Sequence, residues 1–230
     1  MTLKQLTVAY FTYPTILLYG VLCVAALGGS IALGALQHPL KTLAAMLFGI
    51  VLFPFYEYAV HRFILHSPLL YKNPLTAGLW KRIHYDHHQD PNQLDVLFGS
   101  PSNTLVAISV PGLVLGLVSR DWSAALALLA MSLILFAFYE FCHCVQHLNF
   151  IPKNPWLRAI KKQHMAHHFH SEQGNFGITS DIVDRLVGSR YGSMEEQPRS
   201  PSVNNLGYDD REAERYPWVA LRSARQRART

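Results

Sequence analysis

Apolar residues are concentrated in four long runs, and these runs predict helices that cross a membrane. Residues 15–36 contain no charged side chain, and residues 122–141 form a second full-length run in which Trp122 is placed as an interfacial anchor. Residues 42–56 and 105–118 form two shorter runs. An α-helix rises about 1.5 Å per residue, so about twenty residues cross a bilayer core of roughly 30 Å. The pattern predicts an all-α integral membrane protein with four transmembrane helices in two hairpins.

The polar loops predict the orientation of these helices. The loops near residues 37–41 and 119–122 are short and carry one cation each, whereas the other side collects several. Those cations are Arg62, Lys72, Lys81, Arg82 and the arginines of the C-terminal tail. The positive-inside rule therefore places both termini in the cytoplasm. A signal peptide is the competing interpretation of the first run, but the run exceeds a typical signal core, which favours a retained helix.

Composition and charge limit the classes of protein. Half of the 230 residues are apolar, the mean hydropathy is positive, and the formal net charge is +5. Most of the excess charge lies near the C-terminus, in Arg211, Arg215, Arg222, Arg225, Arg227 and Arg229. A tail that is solvated or faces anionic headgroups explains this charge better than nucleic-acid binding does. Three cysteines, Cys23, Cys142 and Cys144, cannot form a disulfide framework and fit a reducing compartment.

Ten of the twelve histidines fall into four clusters. In chain order the clusters are His61 and His66; His84, His87 and His88; His143 and His147; and His164, His167 and His168. Imidazole is the commonest metal-ligating side chain, so this density indicates metal chemistry. Residues three and four apart share a helix face, so each triplet is expected to present its rings in one direction. The five-residue spacing of the first pair predicts that its helix ends or distorts there.

The histidine clusters repeat together with the sequence before them. Residues 53–58 read FPFYEY ahead of the first two clusters, and residues 136–141 read FAFYEF ahead of the last two. A long apolar run precedes each copy. The chain is therefore interpreted as two copies of one unit. A pseudo-twofold arrangement would bring ten histidines around one centre, enough for two metal ions with five ligands each.

Ten imidazoles exceed what zinc requires. A structural zinc site needs four ligands, usually with thiolates, and a hydrolytic zinc site needs three with a water. A two-metal centre that binds dioxygen suits this number, and iron is its usual metal, although softness alone does not separate zinc, copper and iron. Glu57 and Glu140 lie one turn before the first histidine of each copy. They are expected either to accept a second ring N–H or to cap the polar end of an apolar helix.

The clusters follow the apolar runs and do not interrupt them. A transporter needs ionisable groups inside its spans, and these are nearly absent here, so a metal transporter or storage protein is the weaker alternative. A structural membrane protein with incidental histidines would bind no metal tightly. Metals at the cytoplasmic boundary could reach a lipid-soluble substrate from one side and a soluble electron donor from the other. Asp181 and Asp184, after the last cluster, are expected to help a segment lie against the interface.

The histidine series resembles that of the membrane fatty acid hydroxylase and sterol desaturase superfamily. Its spacing is His-x4-His, His-x2-His-His, His-x3-His and His-x2-His-His, and the likeness extends over about residues 53–188. Residues 57–66 (EYAVHRFILH), 162–170 (KQHMAHHFH) and 175–180 (NFGITS) are similar to the branch that hydroxylates carbon 2 of sphingolipid acyl chains. The resemblance implies a histidine-bound di-iron centre that uses dioxygen.

The resemblance also implies a division of the ten histidines, as metal-binding and catalytic residues, between two metals. One metal would be held by His61, His66, His84, His88 and His167. The other would be held by His87, His143, His147, His164 and His168. His38 and His170 fall outside the pattern: the former is expected to be a loop residue, and the latter either a bystander or a group that supports a ligand.

The sequence thus predicts a di-iron monooxygenase that hydroxylates a fatty acyl chain, at carbon 2, free or within a membrane lipid. A sterol or carotenoid hydroxylase or desaturase is the alternative on the same scaffold. The expected cofactors are two iron ions, with zinc conceivable in purified protein, and dioxygen is the co-substrate. No segment resembles a cytochrome b5 domain, so a separate donor is expected, cytochrome b5-like or ferredoxin-like with a reductase.

The expected division of the chain has three parts. Residues 1–14 form an N-terminal cytoplasmic segment, residues 15–190 a membrane di-iron hydroxylase domain with a cytoplasmic histidine-rich helical cap, and residues 191–230 a basic tail. The short chain resembles bacterial members of the superfamily, which predicts the bacterial inner membrane as its location.

Overall fold

The computed structural model describes residues 2–92, 97–149 and 151–227, and within these ranges it is helical, without a strand. Its helices, in chain order, are α1 (Leu3–Phe11), α2 (Pro14–Ala32), α3 (Pro39–Val60), α4 (Ala77–Trp80), α5 (Asp86–Gln89), α6 (Pro101–Ser119), α7 (Trp122–His147), α8 (Pro155–Phe169), α9 (Ile182–Val187), α10 (Asp210–Arg215) and α11 (Trp218–Arg227). The chain divides into two compact units. The first comprises Met1–Tyr56 and Ser100–Cys142, and the second comprises Glu57–Gly99 and His143–Thr230.

Four helical segments are long and apolar enough to cross a membrane, which confirms the four predicted spans. They are Pro14–Ala32, Pro39–Leu65, Pro101–Ser119 and Trp122–His147. Many of their large apolar side chains point outward; Val24, Val51 and Leu117 are 71%, 66% and 62% exposed. In water such exposure would be costly, whereas a lipid environment accommodates it. The all-helical membrane architecture with two hairpins is therefore as expected.

The first span ends earlier than the apolar run suggests. Helix α2 stops at Ala32, although residues 33–36 are still apolar or small. Gly34 has φ +102°, a backbone conformation that residues with a Cβ rarely adopt. The chain turns at Gly34 and enters α3 at Pro39, so the hairpin loop starts inside the apolar run. Apolarity alone could not locate this turn.

Small residues and hydroxyls join the helices of the first unit. Ser30 Oγ donates to the Ser123 carbonyl at 2.8 Å, and Ser123 Oγ donates back to the Ser30 carbonyl at 2.9 Å. A Cβ at Gly112 would lie 2.9 Å from the Ala125 carbonyl oxygen, so α6 and α7 touch backbone to backbone there. Close approach through small residues is typical of membrane helices.

The end of the second span, near the start of the second unit, is distorted. After Val60 the chain makes a π-helical turn, His61–Leu65, in which the His66 N–H donates to the His61 carbonyl at 3.1 Å. A bond between residues five apart brings them onto one face, so this turn aligns His61 with His66. The predicted distortion is confirmed. The buried Trp80 donates from Nε1 to the Leu65 carbonyl at 2.7 Å and holds the end of the turn.

The C-terminal segment packs within the second unit. Leu206, Tyr208 and Val219 are buried in one apolar cluster with Tyr71, Ala77 and Trp80. The expectation of a solvated or headgroup-facing tail is therefore wrong for the aromatic and aliphatic residues of this stretch, because they pack against apolar partners. Arg211, Arg215 and Arg222 are exposed, while the side chains of Arg225, Arg227 and Arg229 lie outside the described part. The three-part division of the chain stays a prediction.

Candidate metal centre

The ten clustered histidines of the sequence converge in the second unit as two groups of five. Within each group the candidate ligand atoms all lie within 4.8 Å of one another. Group 1 consists of His61, His66, His84, His88 and His167. Group 2 consists of His87, His143, His147, His164 and His168. Nine of these ten side chains are buried, and the remaining one, His66, is partly buried.

The helical spacing predicts that each triplet presents its three rings in one direction. This prediction is wrong. His87 and His88 are neighbours in α5, and adjacent residues of a helix point about 100° apart. His88 therefore joins group 1 and His87 joins group 2. The same angle separates His167, in group 1, from His168, in group 2. Each triplet thus supplies rings to both groups.

The ring nitrogens are spaced like ligands on one ion. In group 1, His66 Nε2 lies 3.2 Å from His61 Nε2 and 3.1 Å from His167 Nε2. In group 2, His164 Nε2 lies 2.9 Å from His147 Nε2 and 3.1 Å from His168 Nε2. Two nitrogens at a right angle, each about 2.1 Å from a metal, are separated by about 3.0 Å. The spacing therefore fits a metal ion inside each group.

Three rings of group 1 are oriented by backbone carbonyls. His61 Nδ1 donates to the Phe176 carbonyl at 2.5 Å, and His167 Nδ1 donates to the Gly174 carbonyl at 2.7 Å. His88 Nδ1 donates to the Val203 carbonyl at 3.0 Å. A carbonyl only accepts, so we assign the proton to Nδ1 in each ring, which leaves the Nε2 lone pair for a metal.

Buried nitrogens without partners give a second test of fit. Nε2 of His84 and Nε2 of His88 are buried and have no hydrogen-bond partner among the described residues. Unsatisfied buried polar atoms are rare and need an explanation, such as a bound ion. A cation between the group 1 rings would satisfy both atoms. The residues present therefore fit a metal.

Burial keeps the rings neutral at physiological pH. Desolvation, reinforced by neighbouring histidines, holds the pKa of His66, His84 and His88 well below its usual range. The pKa of His167 falls to about 4, again chiefly because of desolvation. In group 2 the same causes lower the pKa of His164 and of the other rings outside the spans, His87 and His168. Neutral imidazole is the form that binds a metal.

The loop after the last histidine cluster supplies two of the orienting carbonyls. The buried Asp184 holds this loop by accepting from Phe176 N at 3.0 Å and Gly177 N at 2.7 Å. Glu57 holds its far end, accepting from Thr179 N at 3.0 Å and Thr179 Oγ1 at 2.9 Å. The alternative in which Glu57 accepts a ring N–H is therefore wrong, because its oxygens accept from backbone N–H groups and a hydroxyl of this loop.

The remaining predicted residues have other positions. Glu140 is buried in the first unit, and the two alternatives for it stay open. His38 is exposed in the loop after α2. His170 contacts the Gln197 carbonyl through Nε2 at 2.6 Å.

The residues that support the histidine rings could not be predicted from the sequence. Gly174 and Val203 contact histidine rings through backbone carbonyls, which every residue has. Their side chains therefore give no sign that they are partners of a histidine. Asp184 was expected at the interface but is 1% exposed and holds the loop that contacts group 1. The Asn-Phe-Gly sequence at residues 175–177, with Asp184 seven residues after Gly177, is a signal that could have indicated such a turn.

The chain is similar in sequence to known proteins. A dihydroceramide fatty acyl 2-hydroxylase of Arabidopsis thaliana is 28% identical over 150 residues, 63% of this chain and 60% of the relative. A ceramide very long chain fatty acid hydroxylase of Saccharomyces cerevisiae is 30% identical over 163 residues, 69% of this chain and 41% of the relative. The chain thus matches less than two thirds of the length of either relative.

A solved structure shares the fold. It is full-length scs7p with only its hydroxylase domain visible, and it superposes with a TM-score of 0.64 at 24% identity, covering 79% of this chain and 69% of that chain. The family model for fatty acid hydroxylases matches residues 46–189. That range is more than half of the chain and contains both five-histidine groups. The chain therefore belongs to the fatty acid hydroxylase family.

Proposed function

We propose that this protein is a membrane monooxygenase that hydroxylates a fatty acyl chain at carbon 2, in a free acid or in a membrane lipid. The observation that carries the proposal is the pair of buried five-histidine groups in a chain of the fatty acid hydroxylase family. The relatives named above are a fatty acyl 2-hydroxylase and a fatty acid hydroxylase, which supports the acyl substrate class.

The ten histidines are the proposed metal-binding and catalytic residues. Group 1 would hold one iron ion and group 2 the other, each through Nε2 atoms. Bound iron supplies the activation of dioxygen that insertion of an oxygen atom into an unactivated C–H bond requires. None of the ten proposed ligands is a carboxylate, so neutral ligands would not balance the charge of the two ions.

The protein around the groups orients the rings and excludes water. The carbonyls of Gly174 and Phe176 hold the Nδ1 protons of His167 and His61. The Phe176 ring covers the same side chains, with its centroid 5.7 Å from that of His61, 5.2 Å from His66 and 5.5 Å from His167. An apolar wall of this kind keeps bulk water from a reactive centre.

The proposed reaction needs electrons from a donor. Insertion of one oxygen atom consumes dioxygen, two electrons and two protons, and it releases water with the hydroxylated lipid. We propose a separate donor, cytochrome b5-like or ferredoxin-like with a reductase. The distribution of cationic residues supports a cytoplasmic location for the histidine groups, and the bacterial inner membrane is the proposed location.

The test is an iron-loaded preparation in lipid nanodiscs, given a reductase and donor, ¹⁸O₂ and a fatty acyl lipid. Mass spectrometry should find one ¹⁸O atom in the product, and fragmentation should place it on carbon 2. A hydroxyl on another carbon would change the proposed position. Parallel reactions with sterols and carotenoids separate the alternative substrates. If no lipid in any of the three classes gains oxygen, the proposed function is wrong.

A further inference from the structure

One ligand of group 1 depends on a chain segment far away in sequence. His88 Nδ1 donates to the carbonyl of Val203 at 3.0 Å, across 115 positions of the chain. Val203 is 3% exposed, so no solvent competes for this carbonyl. The direction of the His88 ring is therefore set by the position of a backbone segment, residues 197–204, and anything that fixes this segment also fixes the ring.

A buried carboxylate fixes the segment. Glu172 Oε1 accepts from Ser200 Oγ at 2.9 Å and from Ser202 Oγ at 2.6 Å. Glu172 and Ser200 are both 6% exposed. Hydrogen bonds to an ionised acceptor are shorter and about twice as strong as neutral ones, and burial strengthens them further. Both bonds are accepted by the same Glu172 oxygen, and they come from serines that closely precede Val203 in the chain.

Further contacts join the same segment to the ends of the histidine helices. The Ser200 N–H donates to the His170 carbonyl at 2.9 Å, and His170 Nε2 contacts the Gln197 carbonyl at 2.6 Å. Gln89 Nε2 donates to the Asn204 carbonyl at 2.5 Å. Gln89 directly follows His88, and His170 lies two residues after His168. The segment is therefore held at both ends, with the serine pair in its middle.

We infer that Glu172 is a positioning residue for group 1: through Ser200 and Ser202 it fixes the turn whose Val203 carbonyl orients His88. The inference rests on the proposed function only in that group 1 binds a metal. Partners that orient a ligating imidazole are typically worth 10–100-fold in metal affinity or activity. Glu172 should therefore contribute to how tightly the ion of group 1 is held.

The arrangement predicts that only one of the two ions is affected. Among the described residues, Nδ1 of His87, His147, His164 and His168 in group 2 has no hydrogen-bond partner. Nothing comparable to the Val203 contact thus links residues 197–204 to those rings. Loss of the Glu172 contacts should weaken group 1 and leave group 2 unchanged, whereas a general loss of folding would weaken both.

The experiment measures release of Fe²⁺ to the chelator ferrozine from anaerobic, ferrous-loaded protein in detergent. The variants are Glu172→Ala, Glu172→Gln, the double variant Ser200→Ala/Ser202→Ala, and their combination. Glu195→Ala removes an exposed carboxylate from the same region and is the matched control. The parent protein should hold two ions, and Glu172→Ala should release one of them about 10-fold faster or more, with the second at the parent rate.

Two further results distinguish positioning from a structural role. Glu172→Gln keeps an oxygen that can accept from both hydroxyls and should restore most of the parent rate. The combined variant should release iron no faster than the double serine variant, because the three residues act through one contact. If Glu172→Ala does not fold, Ser202→Ala alone removes the shorter bond and should still accelerate release of one ion.

The inference is overturned if the Glu172 and serine variants release both ions at parent rates, or if they release both ions faster to the same extent. It is also overturned if the effects of the Glu172 and serine substitutions add in the combined variant. A parent protein that binds no iron overturns the proposed function as well. A parent that binds two ions but oxygenates no lipid overturns the function alone, because iron release is measured without turnover.

Discussion

Asp184 and Gly177 are joined by a hydrogen bond in which the carboxylate oxygen Oδ2 accepts from the Gly177 N–H at 2.7 Å. The other oxygen of the same carboxylate accepts from the Phe176 N–H at 3.0 Å and from Ser189 Oγ at 2.7 Å. Asp184 thereby holds the loop whose carbonyls accept from His61 and His167. The loop is a rigid support for two rings of group 1 because its own backbone donors are bound to a buried charge.

Replacing this carboxylate should damage both the fold and group 1. In Asp184→Asn the amide NH₂ group must face one of the backbone donors that the carboxylate now accepts from. A buried donor left unsatisfied costs about 1–3 kcal/mol, and more when the lost partner was charged. We expect a lower unfolding temperature and a 10-fold or greater loss of iron affinity, measured by thermal unfolding and chelator competition.

Asp181→Asn is the matched control for Asp184. Asp181 forms ion pairs with Arg185 at 2.7 Å and Arg190 at 2.9 Å, on a side chain that is 21% exposed. Partly solvated pairs of this kind contribute little, about 0–1 kcal/mol. Equal losses of iron affinity in the two variants would show that Asp184 has no special relation to the histidine groups.

Removal of a single ring should remove a single ion. His87→Ala and His168→Ala each take one of five imidazoles from group 2, and we expect bound iron to fall from two ions to one and product formation to stop. Iron is measured by elemental analysis and product by mass spectrometry. His38→Ala, in an exposed loop, should keep both iron and activity. Full turnover by either group 2 variant would contradict the proposed ligand set.

The loop should not tolerate a side chain at residue 177. A Cβ on Gly177 would overlap the backbone carbonyl oxygen of Ser180, so the loop must shift to accept even alanine. We expect Gly177→Ala to lower iron affinity at group 1 and to destabilise the protein by about 1–3 kcal/mol, as overpacking of a tight site does. Chelator competition and thermal unfolding measure the two effects.

Gly192→Ala is the control for this change. A Cβ there meets its nearest neighbour, an atom of the Arg190 side chain, at 3.6 Å, which is ordinary contact. This variant should behave like the parent. A Gly177→Ala protein with unchanged iron affinity would mean that the loop can move without disturbing the rings.

Acid should destabilise the metal-free protein. Burial lowers the pKa of His167 from 6.5 to about 4 and moves the pKa of His84, His88, His164 and His168 in the same direction. Between pH 6.5 and about 4 the unfolded chain therefore binds more protons than the folded one, so stability falls as the pH falls. Each such proton contributes about 1.4 kcal/mol per pH unit.

Thermal unfolding of the metal-free protein in detergent, followed between pH 8 and 4, measures this dependence. Above pH 7 the contribution of these rings should be constant, because both states are neutral. The Ala variants of His164 and His168 should each flatten the slope below pH 6.5. A melting temperature that stays level or rises on acidification to pH 5 would contradict the assignment of neutral, desolvated rings.

The membrane-spanning helices and the kind of chemistry can be predicted from the amino-acid sequence alone. Apolarity is a property of each residue, so residues 15–36 and 122–141 predict membrane spans whatever they pack against. Imidazole clusters are equally local, and the resemblance built on them indicated the family. The five-residue spacing of His61 and His66 even indicated a distortion, which the structure forms as a π-helical turn.

How the rings are held depends on contacts that form only in the folded chain. Gly174, Phe176 and Val203 contribute backbone carbonyls, which every residue has, so no side-chain pattern marks them. The pairing of His88 with Val203 joins positions 115 apart, and Glu172 reaches Ser200 across 28. Such contacts depend on where the chain returns in space. A residue's type specifies what it can bond, but the folded path of the backbone decides what it meets.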